Sequence, residues 1–241
     1  MTAAWFTGQW APFDLESTGV SVWDDRIVSF CIGRVGGGHG TATRTGIVNP
    51  GIPIPPGATA IHRITDAIAE QGQLARDAVE HIAGEVAAAM LDLIPIVGWN
   101  VAYDLTMLRA ECERYGQPTV QDRIGRPDSY VLDGFVIDKH ADPYRRGKRT
   151  LSSAAQHYGV DLSEIDAHGA EADAIAAARV TWKVLRRHGL DRVALPDLHE
   201  WQISWAREQA DSLRAYFDKK GTQHDGVDGH WPVRQRTTVP A

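Results

Sequence analysis

Two carboxylates one residue apart interrupt an apolar run near the start of the chain. In APFDLESTGV, residues 11–20, Asp14 and Glu16 alternate with Phe13 and Leu15. Alternate side chains of a β-strand share a face, so Asp14 and Glu16 would point the same way and repel each other. Burial increases that repulsion because it disfavours the ionised forms. A metal ion held between the two carboxylates is the usual way to relieve it.

Two further acids stand where predicted elements begin. GWNVAYD follows a predicted strand and puts Asp104 at the start of a helix, with Asn100 as a candidate N-cap. An acid in the first helical turn also gains from the macrodipole, which alone could explain Asp104. In DAHGAEADA, residues 166–174, His168 precedes a helix on whose inward stripe Asp173 lies among alanines. The alternative for His168 is a structural role, in which its side chain makes a contact where the helix begins.

The chemistry of this set points to hard cations. Four carboxylates with no basic residue nearby in sequence favour Mg²⁺ or Mn²⁺, since oxygen-only ligation does not suit zinc. Two such ions about 4 Å apart form the clamp that many enzymes use for in-line attack on a phosphodiester. A histidine that titrates near neutral pH can accept the proton of the attacking water.

The elements that must position these residues can be predicted from periodicity. Period-two and period-three-to-four apolar patterns predict strands and helices respectively. Strands are predicted over residues 11–16, 26–33, 41–50 and 94–99, a short strand or strand-to-helix junction over 129–137, and helices over 77–93, 105–115, 151–158, 175–185 and 198–216. Three antiparallel strands followed by strand–helix alternation predict a mixed α/β sheet with helices packed on it.

Composition narrows the class of protein. The 241 residues are 43% hydrophobic and carry a net charge of −6, which argues against a protein that coats nucleic acid through a basic surface. An enzyme that grips one chain end is compatible with this charge, since bound cations supply local positive charge. The sequence shows no bilayer-spanning run, no secretory signal and no metal-type cysteine spacing, so a cytoplasmic protein with reduced Cys31 and Cys112 and no membrane partner is expected.

The motifs FDLESTG, NVAYD and HGAEAD resemble the three exonuclease motifs of the DEDD superfamily. The histidine form is its DEDDh branch, which includes the proofreading epsilon subunit of bacterial DNA polymerase III. The resemblance runs from about residue 10 to 188. It implies a ribonuclease-H-like mixed five-stranded sheet flanked by helices, with an exonuclease domain over residues 1–189. Residues 190–241 would then be a C-terminal helix and a partly irregular tail.

The resemblance also implies roles for individual residues. Asp14, Glu16, Asp104 and Asp173 would hold two Mg²⁺ or Mn²⁺ ions, and His168 would be the general base. Leu15, Ser17 and Thr18 would lie under the terminal nucleotide, near the similar loop IHRIT (residues 61–65) that contains His62. The expected substrate-binding residues are Leu15, Ser17, Thr18, His62, Asn100, Lys148 and Arg149.

Several positions depart from the family pattern or allow another reading. Ser17 stands where threonine is usual, and Arg63 where the family loop often has glycine. Asp133 and Asp138 are additional acids and are left out of the metal set. The basic cluster YRRGKR, residues 144–149, is either a solvated turn or a phosphate guide for the incoming strand, with Lys148 and Arg149 the better candidates.

The function predicted from these observations is metal-dependent 3′→5′ exonuclease activity on single-stranded or frayed DNA ends, releasing nucleoside 5′-monophosphates. DNA is preferred because the motifs look closest to the epsilon-like group. The alternatives are an exoribonuclease of the same superfamily and a non-catalytic module that binds nucleic acid or a polymerase. Proofreading or repair would involve a DNA polymerase partner, contacted through residues 190–241.

Overall fold

The computed structural model describes residues 1–125, 129–162, 169–223 and 227–236. Within these residues one mixed sheet has the strand order β4-β3-β2-β1-β5-β6. The strands are β1 (Gln9–Ser17), β2 (Ile27–Gly36), β3 (His39–Asn49), β4 (Gln73–Leu74), β5 (Ile96–Gly98) and β6 (Val131–Asp133). β2 runs antiparallel to β1 and β3, while β5 is parallel to β1 and β6. The expected mixed sheet is confirmed, but it has six strands instead of five because the two-residue β4 pairs with the end of β3.

Two groups of helices flank this sheet. α3, α4 and α5 form one group, and α6, α7 and α8 the other, with α8 against β1, β2 and β5. The helices are α1 (Pro56–His62), α2 (Asp66–Ala69), α3 (Ala75–Leu91), α4 (Ala102–Tyr115), α5 (Val120–Ile124), α6 (Gly134–Ala141), α7 (Leu151–Tyr158), α8 (Ala170–Arg187) and α9 (Leu195–Lys220). The longer helices match their predicted positions, and Gly116 ends α4 in the left-handed conformation that a C-terminal glycine favours.

Pro12 lies inside β1, a central strand, although proline cannot donate to a ladder. Trp10 and Phe13 pair with β2, whereas Pro12 pairs with Val97 of β5. Across from Pro12 stands Gly33, where a Cβ would lie 3.4 Å from the proline Cγ and 2.9 Å from the Ala42 carbonyl. The ladder to β2 is thus interrupted at the residue that cannot continue it, and the strand goes on to Asp14 and Glu16.

The C-terminal region packs on the body of the molecule. α9 contacts α6 and β6, and Gln202 of α9 is fully buried. Beyond α9, Trp231 is only 7% exposed and the Arg234 amide donates to the Thr106 hydroxyl at 2.9 Å. The irregular tail expected from its turn-rich composition therefore includes an ordered stretch, residues 227–236, because an indole ring there is buried in the core.

A leucine in a left-handed conformation lies just beyond the end of α3 and gives a stability prediction. Leu93 has φ 59° and is 52% exposed, so about half of its side chain is buried. A Cβ is disfavoured at this φ, and glycine is not. We expect the free energy of unfolding of Leu93→Gly to exceed that of Leu93→Ala, which loses the same buried side chain, by about 0.5–1 kcal/mol, the left-handed penalty less the added entropy of the unfolded glycine. Urea unfolding would measure this.

The matched control is Leu93→Ala, which removes the same half-buried side chain but keeps the Cβ. Since the alanine retains the backbone penalty, it should be the less stable of the two variants. Equal stability of the two variants would show that the backbone conformation of Leu93 carries no such penalty.

Candidate active site

The last residues of β1 carry the first two carboxylates. Asp14 pairs with Cys31 of β2 and Glu16 with Ser29, and a bulge follows between Glu16 and Ser17. Phe13 is fully buried and Leu15 is 6% exposed, so the apolar residues of the strand face the core. The alternation predicted from the sequence therefore puts both acids on the opposite face.

The start of α8 brings the third carboxylate to them. Ala170 and Ala174 are buried with Cys31 in one small cluster, and their small side chains let the first turn of α8 approach β2 closely. Asp173, between these alanines, then faces the end of β1. Asp14, Glu16 and Asp173 each offer an oxygen, and these three atoms lie within 4.8 Å of one another. This spacing is that of a carboxylate cluster able to hold a metal ion.

Asp104 borders the cluster but is anchored differently. It lies in the first turn of α4, 6% exposed, and its Oδ1 accepts a hydrogen bond from the Leu15 amide at 3.1 Å. Leu15 is the residue between Asp14 and Glu16, so Asp104 ties α4 to the strand that carries both acids. Asn100 is not the N-cap that was expected: the N-cap is Val101, with no side-chain cap.

The electrostatics of the site follow from burial and crowding. Burial, followed by the charges of Asp104, Glu16 and Asp173, raises the pKa of Asp14 well above its usual range. Burial and then Asp173 raise the pKa of Glu16 to about 7. Burial is also the main cause that raises the pKa of Asp104, which the Leu15 amide partly offsets. Within the described residues, no basic side chain pairs with Asp14 or Glu16. A cation would therefore relieve a charge conflict that the protein leaves in place.

This conflict predicts a pH-dependent difference between wild type and Glu16→Gln. The pKa of Glu16 is about 7 in the folded protein and 4.5 for an unperturbed glutamate, so the folded state binds the proton more tightly. Ionised Glu16 therefore destabilises the fold at pH 8, by an amount on the order of 2–3 kcal/mol, and this cost disappears as the pH falls from 7 toward 4.5. Without metal, the glutamine variant should be the more stable protein at pH 8 and equal to wild type near pH 4.5.

Thermal unfolding in EDTA at both pH values measures this difference. Addition of Mn²⁺ at pH 8 should stabilise wild type more than Glu16→Gln, since a ligand that binds only the folded state stabilises it by mass action. A glutamine variant that is less stable than wild type at pH 8 in EDTA would contradict the charge conflict.

The predicted general base, His168, lies in residues 163–168, outside the described part of the chain. The chain connects it directly to Gly169, the N-cap of α8, and the Gly169 carbonyl accepts a hydrogen bond from the Asp173 amide at 3.2 Å. The role of His168 stays a prediction from the sequence.

The turn after β1 is fixed by hydrogen bonds of its own side chains and of Tyr103 from α4. Thr18 is 1% exposed and its hydroxyl donates to Asp25 at 2.8 Å, which holds the turn closed. Ser17 Oγ donates to the Gly19 carbonyl at 2.7 Å and lies 3.0 Å from the Tyr103 hydroxyl. Tyr103 also donates to the Gly19 carbonyl at 2.6 Å. Tyr103 was not singled out from the sequence, although its place beside Asp104 in NVAYD was the available signal.

His62 and Arg63 form the end of α1 near this turn. His62 is 5% exposed, its Nδ1 accepts from the Ile64 amide at 3.1 Å, and burial lowers its pKa, with the Ser17 backbone acting in the opposite direction. Arg63 has φ 63°, a left-handed conformation that favours glycine. This explains physically why a glycine suits the position at which this chain departs from the family pattern.

Of the two predicted phosphate contacts, Lys148 has an exposed side chain, whereas the side chain of Arg149 is bonded within the protein. Lys148 is exposed, but the Arg149 guanidinium donates to Asp138 Oδ2 at 2.6 Å and to the Asp142 carbonyl at 2.5 Å. Arg149 is therefore committed to an ion pair inside the fold. Asp138, left out of the metal set, is fully buried and also pairs with Arg145. Asn100 is exposed, its backbone amide donates to Asp133 Oδ1 at 2.8 Å, and its carbonyl accepts from the Tyr103 amide at 2.9 Å.

Comparison with known proteins places this chain in a family. The model of the exonuclease family described as RNase_T matches residues 12–181, most of the chain. The chain therefore belongs to the exonuclease family, in the DEDD-type 3′→5′ class. Its members are hydrolases that depend on divalent metal ions.

Individual relatives share parts of this chain. A DNA polymerase III subunit epsilon-like protein of Rhodobacter capsulatus is 27% identical over 176 residues, which are 72% of this chain and 23% of the relative. E. coli exonuclease I with a dT13 oligonucleotide superposes with TM-score 0.61 at 19% identity, over 76% of this chain and 42% of that one. Exonuclease X in complex with 5′ overhanging duplex DNA superposes with TM-score 0.54 at 17% identity, over 79% and 97%. The chain thus spans about a quarter of the epsilon-like relative and less than half of exonuclease I.

Proposed function

We propose that this chain is a 3′→5′ exonuclease that releases nucleoside 5′-monophosphates from single-stranded or frayed DNA. The observation that carries the proposal is the cluster of Asp14, Glu16 and Asp173, whose oxygens lie within 4.8 Å of one another. Three carboxylates this close are costly unless a cation joins them, and oxygen ligands suit Mg²⁺ or Mn²⁺. Asp104, which borders Asp14, is the fourth proposed acid.

The proposed mechanism assigns tasks to individual residues. Asp14, Glu16, Asp104 and Asp173 would hold two divalent ions, which when bound would supply activation of the attacking water and stabilisation of the leaving 3′ oxygen. Asp104 also fixes the strand through the Leu15 amide. His168 accepts the proton of the water. Leu15, Ser17, Thr18 and His62 shape the floor for the terminal nucleotide, Asn100 borders it, and exposed Lys148 contacts the phosphates of the incoming strand, with Arg149 positioning that loop.

DNA is the proposed substrate because the named relatives point there. The exonuclease I and exonuclease X structures contain DNA, and the curated relative is named after a DNA polymerase subunit. RNA trimming is the alternative, and it depends on contacts to the 2′-hydroxyl. The experiment is a matched pair of 5′-labelled DNA and RNA oligonucleotides with Mg²⁺, Mn²⁺ or EDTA. Stepwise shortening of DNA that EDTA abolishes supports the proposal, faster shortening of RNA selects the alternative, and degradation of neither supports a non-catalytic module.

A role in proofreading or repair would need a polymerase partner at the C-terminal region, residues 190–241. α9 packs on α6 and β6 but leaves Trp201 43% exposed and Tyr216 50% exposed on its outer surface. Capture of a purified polymerase by the full chain, and its loss when Trp201 and Tyr216 are both changed to serine, would test this partner.

None of the described helices has the length and apolarity that crossing a membrane requires.

A further inference from the structure

Buried polar bonds connect the C-terminal region to the loop that carries Asp104. Gln202 of α9 is fully buried, its Oε1 accepts from the Asp133 amide at 2.7 Å, and its Nε2 donates to the Val131 carbonyl at 2.9 Å. The side chain of Gln202 thus bonds along the outer edge of β6 as a neighbouring strand would. The Trp231 indole N–H points at Asp133 Oδ2 at 3.4 Å.

Asp133 passes this support to the active-site loop. The residue is fully buried at the start of α6, and its Oδ1 accepts from the amides of Phe135 and Asn100 at 3.0 Å and 2.8 Å. Asn100 has φ 63°, a left-handed conformation that asparagine adopts more readily than other residues with a side chain. The bond to Asp133 holds the Asn100 turn between β5 and α4.

The Asn100 turn sets the position of the first residues of α4. Asp104 lies four residues after Asn100, and its Oδ1 receives the Leu15 amide at 3.1 Å between the two acids of β1. A change in the Asn100 turn would rotate or shift α4 and move the Asp104 carboxylate from Leu15. Groups that orient a metal-binding carboxylate from behind commonly matter almost as much as the ligands themselves.

We propose that the C-terminal region is a positioning element of the nuclease site: Gln202 and Trp231 hold Asp133, Asp133 holds the Asn100 turn, and the turn aims Asp104. Gln202 and Trp231 lie outside residues 12–181, the part that the family model matches. The inference rests on the proposed function and deepens it, because it makes α9 and residues 227–236 part of the catalytic unit and not only a place to attach a partner. Gln202 and Trp231 are positioning residues and touch no substrate.

The test uses the full-length chain with Trp231→Phe, which removes the indole N–H and keeps an aromatic ring in the core. The matched control is Trp5→Phe, because the Trp5 indole N–H donates to the Val193 carbonyl at 2.8 Å, and both residues of that pair also lie outside the family match. We expect a comparable fall in Tm for the two variants. Only Trp231→Phe should raise the Mn²⁺ dissociation constant, by about tenfold, and lower kcat while KM for a DNA oligonucleotide is unchanged.

Mn²⁺ binding is measured without nucleic acid, by the electron paramagnetic resonance of the free ion, so the readout does not depend on activity. Values for Trp231→Phe within twofold of wild type, or equal losses in both variants, would overturn the inference. If Trp231→Phe does not fold, Arg214→Met provides a milder variant, since it removes the bond from Arg214 Nη1 to the Val227 carbonyl at 2.8 Å and an exposed pair with Asp211 on α9 itself. Arg214→Met should then raise the Mn²⁺ dissociation constant and lower kcat in the same way, but by smaller factors. Failure of the proposed function looks different, because wild type itself would bind no Mn²⁺ or leave DNA intact.

Discussion

Asp14→Asn should abolish exonuclease activity and at the same time make the metal-free protein more stable at pH 8. The loss of activity should be at least about 10³-fold, since removal of a metal-holding carboxylate forfeits several kcal/mol of transition-state stabilisation. The change in stability has the opposite sign because Asp14 is buried and is crowded by Asp104, Glu16 and Asp173, so that its ionised form is costly without a metal ion. The amide has nearly the same shape and carries no charge.

The two readouts are initial rates on a labelled DNA oligonucleotide and Tm in EDTA. The control is Asp77→Asn, an exposed acid in the first turn of α3, which should leave activity unchanged and lower Tm slightly. If Asp14→Asn retains a tenth of the activity, or if it loses activity because its metal-free Tm falls, then Asp14 is not a ligand of the metal site. The opposite signs separate a functional carboxylate from one that merely supports the fold.

Substitution of His168 by alanine should lower kcat by about 10²–10⁴-fold, the usual contribution of a general base. The Mn²⁺ dissociation constant should be unchanged, because the four acids remain. In wild type, kcat should fall at acidic pH in part because the imidazole becomes protonated. The alanine variant should lose that part of the dependence, while the part due to protonation of Glu16, whose pKa burial and then Asp173 raise to about 7, should persist.

The matched control for His168→Ala is His39→Ala, at the start of β3, where the imidazole is exposed. This variant should keep both the rate and the pH profile of wild type. A His168→Ala enzyme whose rate is close to that of wild type, or whose acid limb is identical to that of wild type, would assign the base to another group.

The sequence by itself determined the features that depend on local backbone geometry. The alternation of Phe13, Asp14, Leu15 and Glu16 predicts two acids on one strand face, because successive side chains of a strand point to opposite sides. α7 was predicted with its observed bounds, Leu151–Tyr158, and Gly159 follows it in a left-handed conformation. β4 was missed, because two residues are too few to show a period.

Only the tertiary structure decided which of these residues meet. It placed Asp173 within 4.8 Å of Asp14 and Glu16, and committed Arg149, a predicted phosphate contact, to Asp138. It also linked Asp133 to Gln202, 69 residues away, and to Trp231, 98 residues away. A periodic pattern reports the conformation of the few residues that compose it. The contact between two distant side chains depends instead on how whole elements pack, as the alanines of α8 do against Cys31.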